Sequence, residues 1–180
     1  MTALVVGVSG SRREGSHTRK TVVHALRAAE DAGVETELID LGDVDLPLYH
    51  PDLGDRGDAS RLRKLVCRAD GAVLGTPTYH NSYSSTIKSF LDYCGKEEFA
   101  DTPVGLIAVS GGSVSIAGAL NHLRIAVRGV RGNALPEPAA VTNASDRFDG
   151  DAFVDGETAD RVAHVGRTVA RHARRRVPAG

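Results

Sequence analysis

Two hydrophobic patterns alternate along this 180-residue chain. The first is a short, nearly continuous apolar run, seen in ALVVGVS (Ala3–Ser9), GAVLGTP (Gly71–Pro77) and PVGLIAVSGG (Pro103–Gly112). Such runs predict strands covered on both faces, because a half-exposed strand would show polar residues at every second position. VETELIDL (Val34–Leu41) does alternate and predicts another strand, and PAAVTNA (Pro138–Ala144) predicts a weaker fifth. The second pattern is apolar residues at helical spacing. It runs through His17–Ala32 with Val22, Val23, Leu26 and Ala29, ended by Gly33, and through Ala59–Ala69 with Leu62, Leu65 and Val66. Further helices are predicted from Thr86 to Tyr93, from Ile116 to Arg128, and from about Glu157 to Arg175 after a turn at Val154–Thr158. The last carries acids early and arginines late, as the helix dipole favours.

Strand and helix thus alternate five times, which predicts a single α/β domain with a parallel sheet between two helical layers. No repeat, low-complexity segment or linker interrupts it. Open parallel sheets bind ligands beyond the carboxyl ends of their strands, where strand order reverses. In a five-stranded sheet of order 2-1-3-4-5 that point lies between the first and third strands. The loops after strands one, three and four should line one crevice, and their sequences are SGSRREGSHT, TPTYHNSYSS and SGGSVS.

The first of these has the chemistry of an anion site. Gly10 and Gly15 let the backbone turn tightly and expose its amides, Ser11, Ser16 and Thr18 offer short hydroxyls, and Arg13 adds charge beside a helix N-terminus. A phosphate is the commonest such anion. The plainer reading is a solvated turn in which Ser16 or Thr18 is an ordinary helix cap. Glycines at 7, 10 and 15 do not fit G-x-G-x-x-G, and no Gly-Lys-Ser/Thr of a P-loop follows.

Composition narrows the remaining classes. A formal net charge of −1 gives no global field for nucleic acid or an anionic membrane surface. No stretch reaches the roughly 18 apolar residues of a membrane span. Two cysteines without CxxC spacing, Cys67 and Cys94, read as buried thiols of a reducing, cytoplasmic compartment. No metal-ligand quartet and no Ser-His-Asp arrangement is evident. The arginine-rich end RHARRR (Arg171–Arg176) reads as a solvated helix terminus.

Taken together, GSRREGSHTRK (Gly10–Lys20), LPLYHPDL (Leu46–Leu53), TPTYHNSYSSTIKSFLDY (Thr76–Tyr93) and the SGGS turn from Ser110 resemble the NADPH-dependent FMN reductase family over roughly residues 3 to 130. The resemblance implies a flavodoxin-like three-layer fold, bound FMN and oxidation of NADPH or NADH. It further implies electron delivery to a flavin, quinone or similar small acceptor, and a homodimer or homotetramer. Carried over by position, Ser11, Arg13, Ser16 and Thr18, with the adjoining Ser9 and His17, would surround the FMN phosphate. Pro77, Thr78, Tyr79, His80 and Asn81 would edge the flavin ring, and Ser110, Gly111 and Gly112 would meet its pyrimidine end. Thr78 and His80 stand where the family usually has Glu and Asn, and Ser84-Ser85 replaces its Pro-Gly. His80 is the one candidate for a polar role beside the ring. A hydride passes directly between the two cofactors, so no protein acid or base is obligatory. The loop around Tyr49 is expected near a partner subunit, as is the helix carrying Lys88 and Asp92. Two rival readings are a flavodoxin-type electron carrier and a flavin-binding sensor. The near-neutral charge and Arg13 speak against the carrier, because carriers of that type tend to be strongly acidic and to use phosphate loops without arginine.

Overall fold

The N-terminal apolar run forms β1 (Leu4–Ser9), and every residue of it is buried. It pairs in parallel with β2 (Glu35–Asp40) on one side and β3 (Gly71–Pro77) on the other. The computed structural model describes residues 2–113 and 116–177; Val114 and Ser115, expected in the third crevice loop, lie outside them. Next to β3 lies β4 (Pro103–Val109), then β5 (Asn133–Ala134), and the order β2-β1-β3-β4-β5 is the one the alternation predicts. β3 and β4 are buried throughout, whereas the edge strand β2 keeps its expected alternation of burial.

The fifth strand departs from expectation. Instead of one strand over Pro138–Ala144, β4 receives two short pieces, β5 (Asn133–Ala134) and β6 (Ala139–Val141). Pro136 and Pro138 stand between them. Proline has no N–H to give a ladder, so the strand breaks there.

Successive strand residues face opposite sides, and each side acquires its own helical layer. Val6, Val8 and Leu74 share one core with Leu62 of α2 (Ala59–Arg68), Ile87 and Phe90 of α3 (Ser85–Tyr93), and Leu123 of α5 (Ala117–Gly129). Val5, Val73 and Ile107 share the other with Val22 and Leu26 of α1 (His17–Glu30) and Val165 and Val169 of α6 (Gly156–Arg174). Two elements have no counterpart in the sequence reading. One is the single turn α4 (Lys96–Phe99). The other is a small antiparallel hairpin of β7 (Phe148–Asp149) and β8 (Ala152–Phe153), which follows a 3₁₀ turn at Ala144–Arg147.

The expectation of two buried thiols needs correction. Cys94 is buried and its thiol pKa is pushed up by that burial, but Cys67, on the outer side of α2, is exposed. No helix among the described residues is long and apolar enough to cross a membrane.

Candidate functional site: a crevice at the carboxyl ends of three strands

Register sets the floor of the site. Ser9 lies opposite Gly75, and Pro77 opposite Val109, so β1, β3 and β4 end side by side. The chain leaving β1 is pinned at once: the Gly10 amide donates to the Gly75 carbonyl at 2.8 Å, and the Gly10 carbonyl accepts from the Ser84 hydroxyl at 2.6 Å. Beyond it the loop turns on itself at Gly15, whose φ of +62° favours a residue without a Cβ. Ser11 Oγ accepts the Arg13 amide at 3.3 Å, which closes the first half of the loop.

Ser16 is the N-cap of α1, its Oγ accepting the Arg19 amide at 3.1 Å. The capping reading and the anion reading are therefore compatible. Accepting an N–H uses an oxygen lone pair and leaves the hydroxyl proton free to donate. Ser11, Ser16 and Thr18 are nearly buried, while Arg12 and Arg13 are exposed and form no ion pair among the described residues. The amides of Glu14, Gly15, Ser16, His17 and Thr18 meet no acceptor among the described residues, and amides at a helix start suit an anion. Ser9 Oγ, on the last residue of β1, is buried with no hydrogen-bond partner, an arrangement that costs stability unless something meets it. The residues present thus suit a phosphate ester.

The segment after β3 forms a tight two-residue turn. Tyr79 and Ser82 exchange backbone hydrogen bonds of 3.0 and 2.9 Å, and His80 and Asn81 between them have φ of 49° and 59°. Two successive positive φ values define the primed turn that Asn tolerates well. Pro77 is buried, Thr78 half-buried and tied through its amide to the Val109 carbonyl at 2.7 Å, and Tyr79, His80 and Asn81 are exposed. The His80 ring makes no hydrogen bond to the described residues, but its amide and that of Asn81 are free donors at the crevice edge. Thr78 Oγ1 is buried and unpartnered. Asn81 packs on the first turn of α5, where a Cβ on Gly118 would come 2.4 Å from the Asn81 carbonyl.

Ser110 is buried, Gly111 exposed and Gly112 half-buried. This turn is braced by the end of the expected fifth strand, which had no expected part in the site: Asn143 donates its amide to Gly112 and Ala144 to Ser110, at 3.1 and 3.0 Å. Asn143, with φ of 50°, is a further left-handed residue at the crevice. A second omission is a groove of about 190 Å³ beside the loop after β1, lined by Arg12, Leu46, Leu48, Ser85, Thr86 and Ser89. Tyr49 stacks edge-on against Tyr93 at 5.2 Å, and the Tyr93 hydroxyl is buried without a partner.

Residues 3–146 match the family described as NADPH-dependent FMN reductase. The chain is 39% identical over 135 residues to an NADPH azoreductase of Bacillus sp. (strain OY1-2), spanning 74% of this chain and 73% of the relative. It is 35% identical over 141 residues to an FMN-dependent NADPH-azoreductase of Staphylococcus saprophyticus, with the same coverages of 74% and 73%. Its fold is similar to that of FerB, a flavoenzyme NAD(P)H:(acceptor) oxidoreductase from Paracoccus denitrificans, with TM-score 0.80 at 24% identity over 97% of this chain and 98% of that one. It is also similar to a WrbA-like flavodoxin from Agrobacterium tumefaciens, with TM-score 0.67 at 19% identity over 97% and 98%. A flavodoxin-like sheet with a hydroxyl- and arginine-bearing loop at its switch point, together with these relatives, places the chain in the NADPH-dependent FMN reductase family.

Proposed function

We propose that the protein is an FMN-dependent oxidoreductase that takes reducing equivalents from NADPH or NADH and delivers them to a small acceptor such as an azo compound, a flavin or a quinone. The observation that carries this reading is the start of α1. The loop after β1 and the first turn of α1 carry five amides without an acceptor among the described residues, the hydroxyls of Ser11, Ser16 and Thr18, and Arg13, which forms no ion pair among the described residues. When bound, FMN supplies a ring able to accept a hydride from a nicotinamide and to pass electrons on. The chain's own part is to hold and orient. Ser16 and Ser11 donate hydroxyl protons to phosphate oxygens while Arg13 balances their charge. The amides of His80 and Asn81 and the exposed Gly111 would hold the edge of the ring.

Anaerobic mixing of the FMN-loaded protein with NADPH or NADH tests this reading. Bleaching of the flavin within seconds, and recovery of colour on adding an azo dye or quinone, is the expected result. Reduction by dithionite but by neither nicotinamide would favour the electron-carrier or sensor reading.

The same reading includes self-association as a dimer or a dimer of dimers. Leu48 and Leu53 are 76% and 55% exposed on the loop that carries Tyr49, and this loop flanks the groove beside the loop after β1. The buried, unpartnered Tyr93 hydroxyl lies under it. Lys88 and Asp92 pair on the adjoining face of α3. Light scattering at micromolar concentration should report at least a dimer; a monomer with flavin fully bound would refute this part.

A further inference from the structure

The hairpin of β7 and β8 lies along α1 and reaches its first residue, beside the loop after β1. His17, the first residue of α1, stacks on Phe148 with centroids 5.3 Å apart and planes 12° from parallel. Phe148 leans on Phe153 at 4.2 Å, and Phe153 meets His24, two turns along α1, edge-on at 4.9 Å. Lys20 completes the clasp: its ammonium lies 5.9 Å from the Phe148 ring centre, pairs with Asp151 at 3.3 Å and donates to the Gly150 carbonyl. Arg147 anchors the hairpin from below, donating to Asp155 at 2.6 Å and to the Thr142 carbonyl at 3.3 Å. The His17 ring is therefore held by aromatic packing on the residue that follows the N-cap, beside the free amides.

The charges around this ring are mostly positive. Burial lowers the His17 pKa, and Lys20 on its own helix and Arg13 on the loop lower it further. Asp151 is occupied by Lys20, Asp149 on the hairpin and Glu14 on the loop are exposed, and no carboxylate among the described residues pairs with His17. At the far end of the stack His24 is also lowered, chiefly by burial; its ring meets the Ala159 carbonyl, and Arg27, Arg167 and Asp160 are its charged neighbours. Burial, Lys20 and Arg13 favour the neutral His17 ring. A phosphate dianion arriving at the helix start would reverse the balance, because an opposite charge favours the protonated ring.

We propose that His17, positioned by its stack on Phe148, binds the FMN phosphate as an imidazolium, taking a proton from solvent as the cofactor enters, so that FMN retention depends on pH. The proposal rests on the reading of the loop after β1 as an FMN phosphate site. Its sign follows from linkage. A group whose pKa rises on binding strengthens binding as pH falls through its bound-state pKa, and the gain is complete below its free-state pKa. Each unit of rise is worth roughly tenfold in affinity. The second ionisation of the phosphate itself, near pH 6, acts in the opposite direction but is common to every variant.

The experiment is titration of FMN fluorescence from about pH 6 to about pH 9, for the wild type, His17→Gln, Phe148→Leu and Phe148→Tyr, with riboflavin as control. It is paired with calorimetry of FMN binding to the wild type in two buffers of different ionisation heat. The wild type should take up part of a proton near neutral pH and lose FMN affinity toward pH 9 by roughly tenfold per unit of pKa rise, with riboflavin unaffected. His17→Gln should show no such loss, Phe148→Leu a smaller one, and Phe148→Tyr should restore it. Absence of proton uptake by the wild type, or the same alkaline loss in His17→Gln, overturns the proposal while tight, phosphate-dependent FMN binding leaves the site reading standing. An alkaline loss in Phe148→Leu as large as the wild type's overturns the positioning role of the stack. FMN bound no better than riboflavin by the wild type removes the site reading and the proposal together.

Discussion

The hydroxyl of Ser84 donates to the carbonyl oxygen of Gly10 at 2.6 Å, joining two loops that are 74 residues apart in the chain. Ser84 Oγ in turn accepts the Ile87 amide at 3.2 Å and so caps α3, while the Ser84 amide donates to Thr76 Oγ1 at 2.9 Å. Ser84 thus staples the loop after β1 to the helix carrying Ser85 and Thr86. Proline could occupy the turn but could neither donate to Gly10 nor cap the helix.

Ser84→Ala should accordingly cost about 2–4 kcal/mol, combining a lost cap with a buried Gly10 carbonyl left without its donor. Chemical denaturation measures this. FMN affinity should fall as well, since the loop after β1 loses its attachment; unchanged stability would mean that water replaces the hydroxyl.

Ser16→Ala separates capping from ligand binding. Loss of the Arg19 cap should lower stability by about 1 kcal/mol. Loss of a hydrogen bond to a charged phosphate, worth roughly 1.5–3 kcal/mol, should weaken FMN about 10- to 100-fold while riboflavin affinity stays the same. Arg13→Ala should also weaken FMN, with the largest effect at low salt because Arg13 is exposed and its charge is screened. Equal losses for FMN and riboflavin would show that the loop matters for folding alone.

Gly118→Ala probes the ring side. A Cβ there would lie 2.4 Å from the Asn81 carbonyl, so the Tyr79–Ser82 turn must shift. Overpacking of this kind costs about 1–3 kcal/mol, and here the displaced group is the crevice edge. FMN and riboflavin should therefore weaken by similar factors, the reverse of the Ser16 result. Wild-type affinity for both flavins in this variant would show that the turn does not edge the ring.

Asp155 should govern part of the acid stability. Its carboxylate accepts from Thr158 Oγ1 at 2.6 Å and the Glu157 amide at 3.2 Å and pairs with Arg147 at 2.6 Å. The Thr158 bond is the main reason its pKa lies below the ordinary 3.8. A group depressed on folding contributes stability above its unfolded pKa and loses it as pH falls through the folded one. Asp155→Asn should be less stable than wild type at neutral pH, and the gap should narrow on acidification below about pH 4. Thermal melts across that range would show parallel curves if Asp155 had no part.

Much of the architecture was legible from local chemistry. Continuous apolar runs with helices between them leave few arrangements other than a parallel sheet covered on both faces, and five such units place a ligand at the switch between β1 and β3. The loop after β1 was legible for the same reason: glycines, hydroxyls and an arginine before a helix have a chemistry that does not depend on distant residues. The broken fifth strand was legible in principle, since Pro136 and Pro138 cannot donate to a ladder.

Other features exist only through contacts between distant segments. Phe148 and Phe153 stand in a stretch too short for a periodic signal, and their hairpin gains its place by packing on His17 and His24 of α1. Asn143 braces the Ser110–Gly112 turn because β6 ends beside β4. Cys67 faces outward because Leu62 and Val66 claim the inner side of α2. The sequence carries the periodicity of each element and the chemistry of each loop, since those depend on neighbours a few residues away. Which loops meet, which hydroxyl staples them and which ring lies against which helix depend on packing across the whole sheet, because side chains far apart in the chain become neighbours only when both layers close on it.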